Sequence, residues 1–570
     1  MESANKITDA IVGALKKCDF TFDDLVTLER PADDNHGDFA TNIAMILAKK
    51  NKDNPRKIAE KIVDELKKNK NLGKVVDLEK IEVAGPGFIN FSLSNEFLVS
   101  QIHDISKENY GRNEWGNGKL AIVEYSSPNI AKPFTVGHLR STVIGDAIAN
   151  LLEFGGWKVL RDNHLGDWGT QFGKLIVAIK KWGKIEEIEK SDFPVKDLVD
   201  LYVKFHEEAE KNPELEDEAR GYFKKLEDGD IEARSLWKKC VDWSWKEFSR
   251  VYNLLGVKHS EEFDHGRGLG EAFFEDKMSI VVKTLEEEKM LKEGKEGARL
   301  VFFENDKFPP IMIIKKDGAT LYATRDLATD YYRKTVYKPD LIVNEVGAEQ
   351  TMYFQQIIEV EKNLRWFGEG QRVHVGHGLY RLKEGKMSTR KGNVIWLDDV
   401  LKEAILRATK LSDAGDSEVA KVVGIGALKW NDLKGIARRD IVFDWDEMLT
   451  MKGNSGPYMQ YVYARAKAIL DKATSNAKVG DQVILELEEA RVIKQLILFP
   501  GVVEKAASEF APHLLATYLF ELATKFNSFY NSHQVIGSDN EAFRLVLVKA
   551  VANVVKSGLK VLGIDTVEKM

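Results

Sequence analysis

Apolar residues recur at helical or strand spacing along most of this chain of 570 residues. The start, MESANKITDAIVGALKK, has apolar positions every three or four residues, which predicts an amphipathic helix. HGDFATNIAMILAKK predicts a second helix and RKIAEKIVDELKK a third, with Asn54-Pro55 as the break between them. KIEVAGPGFINFSLS instead alternates around a Gly-Pro-Gly turn, which is typical of β-structure. We therefore expect residues 1–110 to form an α+β domain.

A strand–helix–strand pattern follows. KLAIVEYSS has the apolar run of a buried strand, the positions after His138 have helical spacing up to Gly155-Gly156, and WKVLRDN is a second strand. This order predicts a parallel βαβ crossover, the unit of doubly wound nucleotide-binding folds. The Gly- and Asn-rich GRNEWGNGK before it predicts a linker.

Charged helical segments then occupy residues 170–300, and strand patterns return in RLVFFE, IMIIKK, DLIVNEV and RVHVGHGLY. We interpret the charged part as a helical insertion that splits one α/β domain over residues 118–385. After Met451 nearly every segment has helical period. The predicted fold class is a multidomain α/β protein with a split Rossmann-like parallel-sheet domain, an α+β N-terminal domain and an all-α C-terminal bundle over residues 451–570. Residues 386–450 connect the last two.

Charge and cysteine content narrow the possible functions. The net charge of −7 argues against a general nucleic-acid binder, but residues 451–570 carry +2 and the first 450 carry −9, which allows an RNA surface in one part of the chain. Cys18 and Cys240 are the only cysteines, which excludes a disulfide framework and any zinc site built on paired cysteines. Two lone cysteines fit a reducing cytosol, so we expect a cytoplasmic protein. Apolar runs are too short to span a membrane and the start lacks a secretory signal, so no membrane partner is expected.

The loop SSPNIAKPFTVGHLRST lies between the first predicted strand and its helix, where open parallel sheets bind ligands. A helix start offers free N–H groups and a positive dipole, both of which suit phosphate. Gly137 allows close approach of a nucleotide, and His138 is placed to donate to an oxygen that gains charge. A lone histidine at a helix start is more often structural, so this interpretation needs a second feature.

That second feature is LKEGKMSTRKGNVIW, where Lys386, Arg390 and Lys391 crowd a loop flanked by glycines. Alone it predicts a solvated basic turn or a nonspecific RNA patch. Together with the first loop it predicts a cationic arm that closes over a triphosphate. No G-x-x-x-x-G-K-[ST] motif is present, so P-loop hydrolysis is not expected, and HGRGLGEAFF is interpreted as a tight turn.

VGHLRST and GKMSTRKGN resemble the HIGH and KMSKS signatures of class I aminoacyl-tRNA synthetases, and those of the arginyl-tRNA synthetases in particular. The resemblance covers most of the chain and is weakest in the insertion. Seven further segments match the family and occur in the same order as in its members: HGDFATNIAM, AGPGFINF, LYATRDLATD, VGAEQTMYFQQ, VFDWDEML, GNSGPYMQYVYAR and LGIDTVEKM. It implies an arginine–tRNA ligase that forms arginyl-adenylate and pyrophosphate from L-arginine and ATP with Mg²⁺. The arginyl group then passes to tRNA(Arg), and the family implies that tRNA is needed for activation. We expect the enzyme to be a monomer.

The same resemblance assigns roles to residues at the nucleotide side of the site. The positions that match its catalytic residues are Lys132, His138 and Lys386. The positions that match its ATP-binding residues are Thr135, Gly137, His138, Met387, Ser388 and Lys391. No protein-bound metal is implied, because Mg²⁺ is held by substrate oxygens and water.

Arginine recognition requires a carboxylate that accepts two parallel hydrogen bonds from the planar guanidinium. Asp326 matches the family position for this role, with Tyr322 one turn earlier on the same helix face, and Glu271 is a second candidate. Glu124, Asn129 and Gln350 match positions that hold the amino-acid backbone end. Without the family, Asp326 reads as a surface acid paired with Arg325 or Arg333.

For tRNA, the C-terminal bundle resembles the family's anticodon-binding domain. Tyr458, Tyr461 and Met570 match positions that meet the anticodon loop, where aromatic faces stack on unpaired bases. The two tyrosines are equally consistent with core positions. Phe88 and Asn90 match positions near the tRNA elbow.

Two positions depart from the family pattern. Thr135 stands where the first histidine of H-x-G-H is usual, and Thr389 stands where the second lysine of KMSKS is usual. In this family the second loss accompanies a lysine before the HIGH loop, and Lys132 is there; the other interpretation of Lys132 is a solvated loop cation. Two other hypotheses stay open: a tRNA-binding protein that has lost activation, and a class I synthetase for another amino acid.

Overall fold

The computed structural model describes residues 2–20, 22, 26–31, 33, 36–294, 297–316, 318–382, 385–386, 395–411, 416–473 and 483–570. The N-terminal elements are α1 (Glu2–Lys17), β1 (Phe39–Thr41), α2 (Ile43–Asn51), α3 (Pro55–Leu66), β2 (Glu82–Ala84), β3 (Phe88–Phe91) and α4 (Asn95–Ile105). The strands form an antiparallel sheet in the order β1-β3-β2. This is the expected α+β arrangement.

One expected helix in this region is shorter than predicted. HGDFATNIAMILAKK was expected to be helical throughout, but its start forms β1, which is buried along its whole length and pairs with β3. Pairing with a strand some fifty residues away outweighs local helical spacing there. The predicted break before α3 is confirmed, because the Asn54 side chain accepts the backbone N–H groups of Arg56 and Lys57, and Pro55 occupies the first turn.

A four-stranded parallel sheet forms the centre of the molecule. Its strands and crossover helices are β4 (Leu120–Glu124), α5 (Val136–Phe154), β5 (Lys158–Asp162), β9 (Leu341–Gly347), α13 (Thr351–Asn363) and β10 (Arg372–His377). The order is β10-β9-β4-β5, and every neighbouring pair is parallel. The two βαβ units run outward in opposite directions from β4 and β9, which leaves a crevice at the carboxyl ends of these two strands.

The insertion lies between β5 and β9. It contains α6 (Gln171–Trp182), α7 (Ile185–Lys190), α8 (Pro194–Lys211), α9 (Glu214–Glu227), α10 (Ile231–Leu255), α11 (Met278–Glu287), β6 (Leu291–Glu293), β7 (Arg299–Val301), β8 (Ile311–Ile314) and α12 (Tyr322–Tyr332). RLVFFE and IMIIKK were expected to begin the second half of the α/β domain. They instead form β7 and β8 of a separate antiparallel sheet with β6, because short connections favour antiparallel pairing of neighbours.

The remaining described elements follow β10. They are β11 (Tyr380–Leu382), β12 (Gly385–Lys386), α14 (Leu397–Ala408), α15 (Ser417–Leu433), β13 (Ile441–Val442), α16 (Trp445–Met448), α17 (Gly456–Lys472), α18 (Leu487–Leu496), α19 (Phe499–Ser508), α20 (Pro512–Ser532) and α21 (Glu541–Val561). Beyond residue 451 the described residues form helices and their connections, with no strand, as the period predicted.

Helix α5 joins these parts. One side packs on β4, β5 and β9, and its other contacts are with α14, α15, α19, α20 and α21. Gly145 permits the close approach to the strand side, since a Cβ there would lie 2.2 Å from the Tyr125 Cβ. The predicted linker before β4 is packed rather than free, because Trp115 meets Trp157 edge-on with ring centroids 6.3 Å apart. The helix that opens at the crevice is thus held between the sheet and the helical bundle.

Candidate active site

A cavity of about 520 Å³ lies at the carboxyl ends of β4, β9 and β10, in the crevice where the strand order reverses. The structure brings nine of the predicted site residues to its wall: Glu124, Asn129, Thr135, Gly137, His138, Glu271, Tyr322, Asp326 and Gln350. They come from β4, the loop before α5, the start of α5, the insertion, α12 and the start of α13. Residues separated by more than 200 positions in the sequence therefore share one cavity.

The entry to α5 holds His138 in a defined orientation. The Thr135 N–H donates to His138 Nδ1 at 3.1 Å, and Thr135 Oγ1 lies 3.1 Å from the same nitrogen. Burial, with a smaller contribution from the nearby His377, lowers the pKa of His138 to about 4. Because Nδ1 accepts a hydrogen bond, the neutral ring carries its proton on Nε2. At neutral pH the site therefore presents an N–H donor beside the first turn of α5.

Glycine at position 137 leaves space in front of this donor. Gly137 is exposed on the cavity wall, and a Cβ at that position would meet no atom closer than Thr135 Oγ1 at 3.4 Å. The protein's own packing therefore does not require the absence of a side chain here. The absence of a side chain instead gives a ligand close access to the N-terminus of α5.

The loop before α5 is fixed by the insertion. The Ala131 N–H donates to Ser244 Oγ of α10 at 3.0 Å, and the ring of Phe134 packs against Phe248 and Tyr252 of the same helix. Lys132 lies between these anchors, but its side chain is exposed and outside the cavity wall. It forms no ion pair in the part of the chain that the structure describes.

The second signature segment is tied to the first where it ends. The Val136 N–H donates to the Ile395 carbonyl at 3.2 Å, and the Leu397 N–H donates to the Phe134 carbonyl at 2.9 Å. Met387, Ser388, Thr389, Arg390 and Lys391 lie outside the described residues. Lys386 ends β12, and only its backbone is described.

Asp326 occupies the acidic side of the cavity. One carboxylate oxygen accepts from the hydroxyl of Tyr353, and the other lies 4.0 Å from His164 Nε2. Burial, with a contribution from neighbouring carboxylates, raises the pKa of Asp326 to about 6. Neither expected ion pair, with Arg325 or with Arg333, forms among the described residues. The carboxylate is left open to the cavity.

Aromatic and acidic neighbours complete this side. Tyr322 is 60% exposed at the mouth of the cavity, and its ring lies 5.1 Å from that of Tyr353. Glu271 lies in the wall, but its carboxylate is 3.4 Å from Arg325, so part of its charge is already compensated. Asp326 is therefore the carboxylate better placed for a cationic ligand.

Glu124 forms the floor of the cavity at the end of β4. Burial disfavours its charge, but the bonded Arg333 guanidinium outweighs burial and lowers the pKa of Glu124 to about 2. Asn129 and Gln350 are both exposed on the rim. The ionised Glu124, whose charge Arg333 compensates in part, thus lies below two amide side chains whose oxygens accept hydrogen bonds from an ammonium group.

The floor rests on a buried charge network that the sequence analysis did not identify. Arg333 bonds Asp162 at 2.6 Å and Asp330 at 3.1 Å as well as Glu124. Arg372 bonds Glu361 at 2.7 Å and also reaches Asp330. One signal was available, since Asp162 is the next-to-last residue of the predicted strand WKVLRDN and ends β5 at the carboxyl edge of the sheet.

Two histidines of the wall were also missed. His164 donates from Nδ1 to the Leu269 carbonyl at 3.0 Å, which leaves its buried Nε2 without a hydrogen-bond partner in the described structure. His377 ends β10 and bonds Glu345 at 2.8 Å. His164 directly follows the predicted strand WKVLRDN, and His377 lies near the end of the predicted strand RVHVGHGLY. The rule that ligands bind at the carboxyl ends of parallel strands would have selected both.

The predicted tRNA-binding residues have mixed exposure. Tyr458 is half-buried against Phe520 and accepts a hydrogen bond from the Asn527 amide. Tyr461 is half-buried, and the Arg465 guanidinium lies 4.6 Å above its ring. The structure places Met570 against an apolar cluster of α14 and α15, Phe88 half-buried at the start of β3, and Asn90 buried on that central strand.

The described residues include no group of three or more histidine, cysteine, aspartate or glutamate side chains arranged to hold a metal ion. None of the described helices is both long and apolar enough to cross a membrane.

Comparison with known proteins covers the whole chain. The catalytic-domain model of class I (R) tRNA synthetases matches residues 99–445, the DALR anticodon binding domain matches 459–570, and the arginyl tRNA synthetase N terminal domain matches 5–93. The chain is 41% identical to the arginine–tRNA ligase of Clostridium acetobutylicum over 100% of this chain and 99% of that one. It is 42% identical to that of Clostridium botulinum over 100% of both.

The fold agrees with these matches. The structure superposes on arginyl-tRNA synthetase from Plasmodium falciparum with a TM-score of 0.81 and 27% identity, covering 99% of each chain. The expected fold class is confirmed. The chain belongs to the family of arginyl-tRNA synthetases, within class I of the aminoacyl-tRNA synthetases.

Proposed function

We propose that this chain, an arginine–tRNA ligase, activates L-arginine with ATP in the cavity described above and transfers it to tRNA(Arg). One observation carries the assignment of the site: a neutral imidazole donor at a helix N-terminus faces, across one cavity, two carboxylates in different electrostatic environments. The imidazole at the helix N-terminus suits a triphosphate. The two carboxylates, Glu124 and Asp326, suit an amino acid with a cationic side chain.

The substrate arginine spans the acidic side. Asp326 accepts the guanidinium, and Tyr322 covers it from the mouth of the cavity. Glu124, with Asn129 and Gln350, holds the α-ammonium group. Glu271 lies farther along the wall as a second acceptor. This arrangement leaves the arginine carboxylate pointing toward the start of α5.

ATP occupies the other side, with its phosphates at the N-terminus of α5 near Thr135 and Gly137. A carboxylate oxygen of arginine attacks the α-phosphorus, the bond from that phosphorus to the bridging oxygen breaks, and pyrophosphate leaves. His138 donates from Nε2 to phosphate oxygen as negative charge shifts. The second signature segment contributes the catalytic Lys386 and the ATP-binding residues Met387, Ser388 and Lys391. Mg²⁺ enters with the triphosphate as its counter-ion.

The transfer step uses the terminal ribose of tRNA. Its hydroxyl attacks the arginyl carbonyl, and AMP leaves. The helical bundle over 451–570 holds the anticodon loop through Tyr458, Tyr461 and Met570, and the domain over 1–110 touches the tRNA through Phe88 and Asn90. Residues 118–385 carry the chemistry and 386–450 connect it to the bundle. The enzyme acts as a monomer in the cytoplasm, and tRNA is required for activation.

Replacing Lys132 with alanine is expected to slow adenylate formation by about 100-fold, the lower end of the loss for one transition-state donor. The lower end applies because this exposed side chain must first move toward the phosphates. Single-turnover formation of arginyl-adenylate in the presence of tRNA measures the effect. Lys158→Ala, an exposed lysine on β5, is the matched control. A change of twofold or less would make Lys132 a solvated loop cation.

Arginine-dependent exchange of pyrophosphate into ATP tests the whole proposal. We expect exchange with arginine and tRNA(Arg) together and no exchange with arginine alone. Exchange driven by a different amino acid would identify another specificity. Binding of tRNA without exchange under any condition would favour a tRNA-binding protein that has lost activation. Thr135→His would then be the first substitution to test for recovery of activation.

A further inference from the structure

His377 is held at the end of β10 by a buried carboxylate. Its Nδ1 lies 2.8 Å from Glu345 Oε1, and because a carboxylate only accepts, Nδ1–H is the donor. Glu345 is 1% exposed, and its other oxygen has no hydrogen-bond partner in the described structure. Arg140 fixes the adjoining backbone by donating to the Gly378 carbonyl at 2.8 Å. The ring is therefore held in one orientation, and its second nitrogen, Nε2, has no hydrogen-bond partner among the described residues.

The His377 ring lines the same cavity as His138. The two rings are close enough for His377 to lower the pKa of His138 electrostatically. The cavity thus contains two imidazoles near the start of α5, although Thr135 replaces the first histidine of the signature loop. The second imidazole comes from β10 instead.

The two rings differ in protonation. His138 is neutral and carries its proton on Nε2. The Nδ1–H group of His377 donates to Glu345, so this ring donates from Nε2 only when it is a doubly protonated imidazolium. Burial disfavours that cation, but Glu345 outweighs burial and raises the pKa of His377. A polyanionic ligand in front of Nε2 stabilises the same charged form.

We propose that His377 contacts a phosphate oxygen of ATP through Nε2–H and supplies the imidazole that position 135 lacks. This contact rests on the proposed function, because it needs ATP in the cavity. Glu345 is then a positioning residue, which orients the ring and keeps it charged.

Equilibrium binding of Mg·ATP and of adenosine to His377→Asn tests the contact. We expect ATP affinity to fall by about 10-fold or more, the loss for one hydrogen bond to a charged group, while adenosine affinity stays within twofold. His374→Asn is the matched control, because this ring lies on the same strand and does not itself line the cavity, although it stacks on Phe354 of the cavity wall. It is expected to leave both affinities unchanged.

The outcomes separate the two proposals. Equal losses for ATP and adenosine would place the ring against the ribose or base and overturn the phosphate contact, as would an unchanged ATP affinity. If the unmodified protein binds neither ligand, the proposed function itself fails. Circular dichroism and the melting temperature of each variant show whether it is folded.

The pH dependence of ATP affinity distinguishes a charged contact from a structural role. Since the pKa of His377 is raised, its cation is present at low pH and is lost as pH rises through that value, so ATP affinity should fall over the same range. The charged and titratable groups that face His377 come from four elements and a turn. They are Glu345 on β9, Glu349 just after β9, Arg140 and His138 on α5, Asp432 on α15, and His374 on its own strand. Glu345→Gln should move the fall to lower pH.

The His377→Asn variant isolates this titration from that of ATP itself. The ratio of wild-type to variant affinity cancels the protonation of the free nucleotide. A ratio that does not change with pH would overturn the proposal.

Discussion

Asp326→Asn is expected to lower kcat/KM for arginine by about 1000-fold, since a buried or partly buried charge left without its partner costs about 3–5 kcal/mol. The asparagine keeps the shape of the side chain and an oxygen that accepts from Tyr353, but it replaces a bidentate acceptor with one acceptor and one donor. That donor faces a guanidinium, which has no acceptor. ATP affinity should stay within twofold, because the nucleotide lies across the cavity.

Arginine-dependent pyrophosphate exchange in the presence of tRNA, with arginine varied, measures this loss. Glu275→Gln is the matched control, because Glu275 bonds Arg325 beside the site but does not line the cavity. It should change kcat/KM for arginine by less than threefold. A loss below tenfold in Asp326→Asn would remove Asp326 as the main determinant of arginine specificity.

The same carboxylate predicts a pH limit. Burial raises the pKa of Asp326 to about 6, so the empty cavity holds a growing fraction of neutral acid below that pH. The neutral acid cannot accept both guanidinium hydrogen bonds, and KM for arginine should therefore rise as pH falls through 6. This limb should be absent in Asp326→Asn, whose KM is high at every pH.

His138→Asn is expected to lower the rate constant for adenylate formation by about 1000-fold, the upper end for removal of one preorganised donor. The upper end applies because Thr135 and Phe134 already hold the ring, so its Nε2–H needs no reorganisation. ATP affinity should change much less than the rate constant, since the contact strengthens as charge develops.

Single-turnover kinetics at saturating ATP and arginine separate the two quantities. His265→Asn, on an exposed turn, is the control and should be silent. Because the pKa of His138 is about 4, its protonation contributes no pH dependence between pH 6 and 8. A rate constant within tenfold of the unmodified enzyme would make His138 a structural histidine of the helix start.

The central βαβ unit was predictable because its signals are local. Apolar runs mark β4 and β5, helical spacing marks α5, and parallel connection follows from their order. The errors have the opposite cause. β1 is a strand because it pairs with β3, which is distant in the sequence. β7 and β8 belong to a separate sheet and not to the parallel one, because they pair with each other and with β6 in the insertion.

The site was predictable only in part for a similar reason. Residue type and family resemblance selected Asp326 and His138, and the structure places both in one cavity. The Arg333 partner of Glu124 is 209 residues away, and Glu345 is 32 residues before His377, so neither pairing leaves a pattern in the sequence. Buried charge pairs between distant elements depend on the assembled fold.

The split of the parallel sheet also affects how the chain is made. β9, the second partner of the central strand β4, begins about 180 residues after β5 ends. At roughly 5–20 residues per second, a ribosome needs about 10–40 s to synthesise that stretch. Throughout this interval β4 lacks the partner that pairs with it at Ala121, Ile122 and Val123. Until β9 is made, the nascent chain therefore presents an unpaired strand edge, which favours aggregation, at the future catalytic centre.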